Sequence, residues 1–541
     1  MSNSNIVRGA MLLTAASFIS KFLGMIYVIP FHAMVGEKGG ALYQYAYIPY
    51  SILITVATVG IPLAVSKFVS KYNSLNDYYT GMRMFRTGMS IMAITGTIAF
   101  LGLFFGAEAL AKQMIPSDDL HNSVEDVTMV IRMVSFALII TPSMSIFRGF
   151  FQGNQSMGPT AVSQVVEQIV RIIFLLTAVF LVLKVFDGEL AFAVGLATFA
   201  AFLGAIASYV VLLVYWKKRK PFLDKNISQQ KHVYDIPKKD LMKELFRYAG
   251  PFVIVSVSIP LFQFVDNLTF SKTMVKIGRG EIAEIALAGF NLYGHKLVII
   301  PVSIATGLSL AVLPAITSSF TQRNQSLLYQ QINQSFQVIL TLVIPAVVGL
   351  SLLSTEAYGA LYGLQHISIT GPLLGWYAFV GLFYAMLTVS SSILQGINQQ
   401  NYAVIHLIIG LLVKILFNIQ FIYMFGQKGA IFATALAAGV AVALNCWRIK
   451  KAIEFPFKQT WKRTILIIIF VLFMAFAIWI TKLLLGMFIA YEESRFGVTL
   501  MLIIGVVFGG GVYLWLAYAS TLLERVFGEK VRILDKLLKR K

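Results

Sequence analysis

Runs of about 20 mostly apolar residues recur along this chain with short polar breaks between them, and a backbone in such runs has few ways to fold. Hydrocarbon offers no partner to an open N–H or C=O, so a run of that length closes its hydrogen bonds internally as a helix. Fourteen runs lie near 9–31, 42–66, 87–107, 127–150, 159–183, 190–215, 248–271, 286–315, 334–354, 373–397, 402–425, 429–447, 463–487 and 497–522. The expected fold is therefore an all-α polytopic membrane protein of about fourteen transmembrane helices. Composition agrees: 58% of residues are hydrophobic and 13% charged, against roughly 25% charged in a soluble domain. The first run carries Lys21 and no small-residue cleavage signature, so it reads as a retained span and not a signal peptide. The single cysteine, Cys446, excludes disulfides and cysteine-based metal sites as organising features.

A net charge of +20 would suit nucleic acid if it were clustered on one surface, but it falls in alternate breaks. Thirty of the 44 Lys and Arg lie in one set: Arg8, Lys67 to Arg86, Arg148, Lys217 to Arg247, Arg323, Arg448 to Arg463, and Arg525 onward. The other set holds eight bases with thirteen acids, among them Asp118, Asp119, Glu492 and Glu493. The positive-inside rule puts the first set, and with it both termini, in the cytoplasm, which requires an even number of spans. No nucleic-acid partner is implied.

The longest inner break, with Lys217-Lys218-Arg219-Lys220-Pro221, divides the first twelve spans into six and six. Two echoes relate the halves. Gln152-Gly153 is followed nineteen residues on by Arg171, and Gln395-Gly396 at the same interval by Lys414, a shift of 243. Gly60-Ile61-Pro62-Leu63 through Phe68 also resembles Val312-Leu313-Pro314 through Phe320. The expected organisation is an N-terminal lobe (1–220), a basic cytoplasmic linker (221–243), a C-terminal lobe (244–451), two extra helices (452–522) and a basic amphipathic tail (523–541). Six spans per half is even, so the lobes would share orientation, related by pseudo-twofold symmetry with a site between them.

Ionisable groups inside spans are costly and usually face a cavity or a partner. The bases here are Lys21, Arg132, Arg171, Lys296, Lys414 and Lys482; the acids are Glu167 and Asp266. Arg132 and Lys482 lie near span ends and can snorkel. Glu167 and Arg171 are four apart and can neutralise each other on one helix face, or Arg171 can serve a substrate. Lys21, Lys296 and Lys414 have no local acid, so an anionic substrate is their expected partner. Asp266 reads as an ion-pair partner for a lysine or as a coupling-ion site. His295 beside Lys296 is a substrate-site candidate or a packing residue, while His406 and His366 read as packing or loop residues. Prolines 30, 49, 62, 142, 260, 301 and 345 fall mid-span and should kink their helices. No P-loop, His-Glu-x-x-His or serine-elbow pattern occurs, so the chain reads as a transporter and not an enzyme, without a cofactor and with coupling by membrane potential or a monovalent cation left open.

Arg8-Gly9, Ser20-Lys21-Phe22-Leu23-Gly24, Arg148-Gly149-Phe150-Phe151-Gln152-Gly153, Gly158-Pro159-Thr160-Ala161 and Leu292-Tyr293-Gly294-His295-Lys296-Leu297 together resemble the lipid II flippases. Within the multidrug, oligosaccharidyl-lipid and polysaccharide flippase superfamily, the likeness is to the MurJ-like (YtgP) and sporulation-protein-B branch. The resemblance implies a two-lobed flippase with a cationic cavity that moves undecaprenyl-pyrophosphate-linked muropeptide to the outer leaflet by alternating access. It also implies a lipid-tail groove in spans thirteen and fourteen, substrate roles for Lys21 and Lys296, and an acid at Asp266. Two departures from the family pattern stand out. Ile26 and Ile52 to Thr55 occupy places where relatives carry arginines, and Lys414 lies where some relatives place sodium-binding acids.

The alternatives are a flippase for another lipid-linked polysaccharide or spore-cortex precursor, a cation-coupled multidrug exporter, and a scaffold for cell-wall synthesis proteins. Six buried bases against two acids disfavour a cationic cargo, and a scaffold has no use for unmatched lysines. The charge bias carries a direct prediction. In a Cys446→Ala background, an impermeant thiol reagent added to intact cells should label Asp119→Cys and spare Lys218→Cys; the reverse pattern inverts the topology.

Overall fold

The structure is a computed structural model that describes residues 3–115, 120–230, 237–488 and 491–527. Asp118, Asp119, the middle of the expected linker and the tail beyond Phe527 lie outside the described residues, as does the side chain of Glu492. The chain divides into two compact units, one ending at Lys272 and the other beginning at Thr273.

Unit 1 holds α1 (Asn3–Ile26), α2 (Val28–Ser74), α3 (Tyr78–Met114), α4 (Val124–Ser135), α5 (Ala137–Gly153), α6 (Met157–Phe180), α7 (Leu190–Gln229), α8 (Lys238–Ser256) and most of α9 (Ser258–Lys276). Unit 2 holds α10 (Ala283–Ala288), α11 (His295–Thr321), α12 (Gln325–Leu352), α13 (Ser354–Tyr362), α14 (Ile367–Gly396), α15 (Gln400–Phe425), α16 (Gly429–Ile453), α17 (Lys458–Phe488), α18 (Arg495–Ala519) and α19 (Leu522–Phe527). Among the described residues, eleven helical segments are long and apolar enough to cross a membrane. Two of them, Ala15–Ser74 and Gln400–Ile453, each cover two expected spans and are interrupted at a left-handed glycine, Gly36 (φ 61°) and Gly426 (φ 58°). The expected seventh span falls on α8 and α9. The protein is an all-α, multi-pass membrane protein.

Helix ends follow local chemistry. Ser123 and Asp126 form a reciprocal capping box at α4, and the Asp77, Asn324 and Ser494 side chains accept the first free N–H groups of α3, α12 and α18. Proline deprives the carbonyl four residues earlier of its donor. Pro30 does this to Ile26, where α1 ends, and Pro260 to Ser256, where α8 ends. Pro49, Pro62, Pro301 and Pro345 instead lie inside continuous helices. The basic run 217–220 also continues as helix to Gln229, where the sequence suggests a linker from 221. Helices α8 and α9 pack with unit 1 up to Lys272, tied to α2 by Tyr45 and Ser271 (Oη to Oγ 2.7 Å) and by Asn267 Nδ2 donating to the Gln44 carbonyl (3.2 Å).

The two sequence echoes are the two sides of one helix contact, repeated in each unit. In unit 1, Gly149 and Gly153 of the Arg-Gly-Phe-Phe-Gln-Gly turn lie against the backbone of Pro62 and Ser66 on α2. In unit 2, Gly396 of the Gln-Gly turn lies against Ile316 and the Leu313 carbonyl on α11. Without a hydrophobic drive between helices in lipid, such small-residue approaches supply the packing. A Cβ at Gly149 would collide with the Pro62 carbonyl, whereas one at Gly158 meets open space. Gly149→Val should therefore lower stability by about 1–3 kcal/mol, read as earlier thermal unfolding of the detergent-solubilised protein. Gly158→Ala should match wild type, and equal behaviour of the two would refute the close-approach account.

Candidate functional site

In unit 1 a polar node joins three helices. Arg148 on α5 donates from Nε to Ser163 Oγ (3.0 Å) and from Nη2 to Glu167 Oε2 (2.7 Å), both on α6, and to Ser208 Oγ (2.8 Å) on α7. Glu167 is thus paired across helices with Arg148, and the same-helix pairing with Arg171 that the sequence permits is not made. Arg171 instead donates to Tyr43 Oη (3.0 Å) and lies over the Tyr47 ring at 5.3 Å. Both arginines and Glu167 line a recess of about 360 Å³ with Tyr50, Thr58 and Gln152. Lys21 lies on α1 between Ser17, which donates to Gln164 (3.2 Å), and Gly24, which abuts Gln168. Its ammonium is exposed and makes no ion pair or hydrogen bond among the described residues. Asp266 on α9 is buried beside Gln263 and Asn267.

Unit 2 repeats the node without charge. Under the 243-residue shift Arg148 corresponds to Ser391 and Ser163 to His406. His406 Nδ1 bonds Asn445 Oδ1 (2.8 Å), and Asn445 Nδ2 donates to Ser390 (3.0 Å) and Ser391 (3.2 Å). His406 is therefore a packing residue, and His366 is the left-handed residue that opens α14. Lys414 is fully buried, its Nζ donating to Thr434 Oγ1 (2.6 Å) and the Ala430 carbonyl (2.9 Å) of α16. These two acceptors are uncharged, so the burial of Lys414 does not by itself call for an anion. Lys482 ion-pairs with Glu356 at 2.6 Å and donates to the Leu352 carbonyl (3.2 Å), a protein partner where the sequence suggests snorkelling. Arg132 remains exposed, against the Phe104 ring and carbonyl.

Lys296 differs from the other bases of unit 2. It follows a single π-helical turn, Gly289–Gly294, that the sequence does not announce beyond its two flanking glycines. That turn is close-packed: a Cβ at Gly294 would stand 2.7 Å from the Gly289 carbonyl oxygen, and one at Gly289 2.8 Å from Thr370 Cγ2. Such turns recur at functional sites. His295 Nδ1 is bound to Tyr377 Oη (3.0 Å), while the half-buried Lys296 makes no ion pair or hydrogen bond among the described residues. Below it, α11, α12, α17 and α18 enclose an apolar recess of about 500 Å³ lined by Leu297, Pro301, Pro345, Met474 and Tyr513. Three acids that the sequence assigns to outer loops, Glu37, Glu284 and Glu356, are buried, so the acid deficit inside the protein is smaller than the sequence suggests.

The chain matches the polysaccharide biosynthesis protein family over residues 6–320. It is 45% identical to the lipid II flippase MurJ of Bacillus subtilis (strain 168) over 98% of each chain. The chain belongs to this family. It is also 26% identical to stage V sporulation protein B of the same organism, over 85% of this chain and 86% of that one. Among solved structures, a lipid II flippase MurJ in an inward closed conformation superposes with a TM-score of 0.68 at 18% identity, covering 95% of this chain and 99% of that one. An inward-facing multidrug-resistance transporter of the MATE family gives 0.65 at 15%, covering 79% and 95%. At these identities the structural likeness speaks to fold alone.

The Arg148 node yields a stability prediction. Glu167 and Arg148 side chains are 25% and 15% exposed, and removing one partner of a buried pair costs roughly 3–5 kcal/mol, less where water reaches it. Arg148→Ala should therefore destabilise the solubilised protein by about 2–3 kcal/mol, while Glu167→Gln, which keeps an acceptor for Arg148, should cost less. Equal losses in thermal unfolding would contradict the pairing.

Proposed function

We propose that the protein is a flippase that carries an undecaprenyl-pyrophosphate-linked peptidoglycan precursor, lipid II, from the inner to the outer leaflet by alternating access. The observation that carries this reading is Lys296, a half-buried base just after a π turn with no acceptor among the described residues, in a chain 45% identical over 98% of its length to a lipid II flippase. A pyrophosphate brings about two negative charges into a medium that does not tolerate them uncompensated, and a lysine without a competing carboxylate offers compensation. Lys21 offers a second such charge. Arg171 and Lys414 are held by their own helices' neighbours and serve structure first. The apolar recess of α11, α12, α17 and α18 suits the prenyl tail. The charge bias argues for both termini in the cytoplasm, at the plasma membrane, and Asp266, buried on α9, is the acid assigned to couple transport to a cation. The lower identity to stage V sporulation protein B favours the lipid II reading over a spore-cortex one.

Lys296 variants test this. Loss of a charge-assisted contact is worth about 1.5–3 kcal/mol, roughly a 10- to 100-fold loss of affinity. In cells depleted of their own flippase, Lys296→Arg should retain part of the activity, Lys296→Ala should lose most of it, and Lys296→Glu should be worst. Precursor should accumulate on the inner leaflet at unchanged membrane abundance of each variant. Normal growth with Lys296→Glu at wild-type abundance would overturn the assignment.

A further inference from the structure

At their basic ends, α16 and α17 frame a cavity that the flippase reading leaves unused. Helix α17 is tied to α12 on one flank: Thr460 Oγ1 donates to Asn333 Oδ1 (2.7 Å), Asn333 Nδ2 to Gln459 Oε1 (3.1 Å), and Arg463 to Gln337. Its other flank, toward α14 and α16, is left open as a recess of about 620 Å³. The floor is Phe336, Leu340, Met386 and Cys446. At the rim stand two lysines, Lys450 and Lys458, beside the exposed indoles of Trp447 and Trp461. Neither lysine makes an ion pair or hydrogen bond among the described residues. The segment Arg448 to Arg463 carries six bases and one acid, Glu454.

We propose that this seam binds an anionic glycerophospholipid, one acyl chain on the apolar floor and the phosphate diester between Lys450 and Lys458. Water is a poor occupant, because each molecule needs two to four polar partners and the floor offers almost none. The chain's own C-terminal sequence, 523–541, carries seven bases against three acids, a net charge of the same sign as the two lysines. A zwitterionic lipid would fill the floor and leave the rim uncompensated. An amphiphile with a net negative headgroup satisfies both, and paired indoles at such a rim are the side chains that sit at headgroup level. The lipid would complete the packing of α17 toward α14 and α16, on the flank that the recess leaves open.

The test uses full-length protein in nanodiscs of 30% phosphatidylglycerol and 70% phosphatidylcholine, released for native mass spectrometry so that retained lipids are identified by mass. Wild type should retain phosphatidylglycerol in preference to phosphatidylcholine. A basic side chain near an anionic surface is worth about a 5-fold change in binding, so K450A/K458A should lose roughly 30-fold. K450R/K458R, which keeps the charges, should retain the lipid and confirms folding together with an unchanged size-exclusion profile. K217A/K218A, which removes two exposed bases from α7, should behave as wild type. Three results would overturn the proposal: no preference for the anionic lipid in wild type, equal loss in K217A/K218A and K450A/K458A, or retention of a polyprenyl pyrophosphate in place of the phospholipid when both are supplied.

Discussion

In a medium without water, a charged or polar group must find its partner within the protein or on something the protein binds. That constraint sorts the six bases expected inside the spans. Arg171 turns to a tyrosine hydroxyl and ring, Lys414 to a hydroxyl and a carbonyl, Lys482 to a buried glutamate, and Arg132 to a backbone oxygen and a phenyl face. Lys21 and Lys296 alone among the six make no such contact among the described residues. A transporter of anions needs bases of this kind, and under the proposed function Lys296, on α11 after a π turn packed closely at Gly289 and Gly294, supplies one.

The same constraint shapes each unit's interior. Backbones approach at glycine or alanine, as where Gly204 meets the Glu167 carbonyl on α6 and Gly410 meets the Ala437 carbonyl on α16. Positions 167 and 410 correspond under the 243-residue shift, so equivalent positions of α6 and α15 take part in small-residue contacts with α7 and α16. The polar node one turn away is also shared in place. Its chemistry has diverged, an arginine and glutamate in unit 1 and a histidine, asparagine and serines in unit 2. One packing plan therefore carries a charged node in one unit and an uncharged node in the other.

Much of this was legible in the sequence because hydropathy and proline act locally. Span positions follow from run length, and the ends of α1 and α8 follow from Pro30 and Pro260. The repeat was legible through glycines whose partners turned out to be the second echo itself. Lys21 and Lys296 could be singled out because neither has an acid within a helical turn. Long-range pairing was not legible. Glu167 finds Arg148, which reads as a loop base, and Lys482 finds Glu356, which reads as an outer-loop acid. Lys414 shows the same limit in another form: two of its acceptors are uncharged, and a search for carboxylates does not see a threonine hydroxyl on the next helix. The π turn before Lys296 leaves no periodic signal in a segment that is apolar on every face.

The central claim of the proposed function is that Lys296 holds the charge of a lipid-linked pyrophosphate. The most direct measurement is native mass spectrometry of the full-length protein titrated with undecaprenyl pyrophosphate, with undecaprenol as the uncharged control. Wild type should bind the pyrophosphate well above the alcohol, and K296A should lose that preference, by the roughly 10- to 100-fold expected for one charge-assisted contact, while still binding the alcohol. An undiminished preference for the pyrophosphate in K296A would contradict the account.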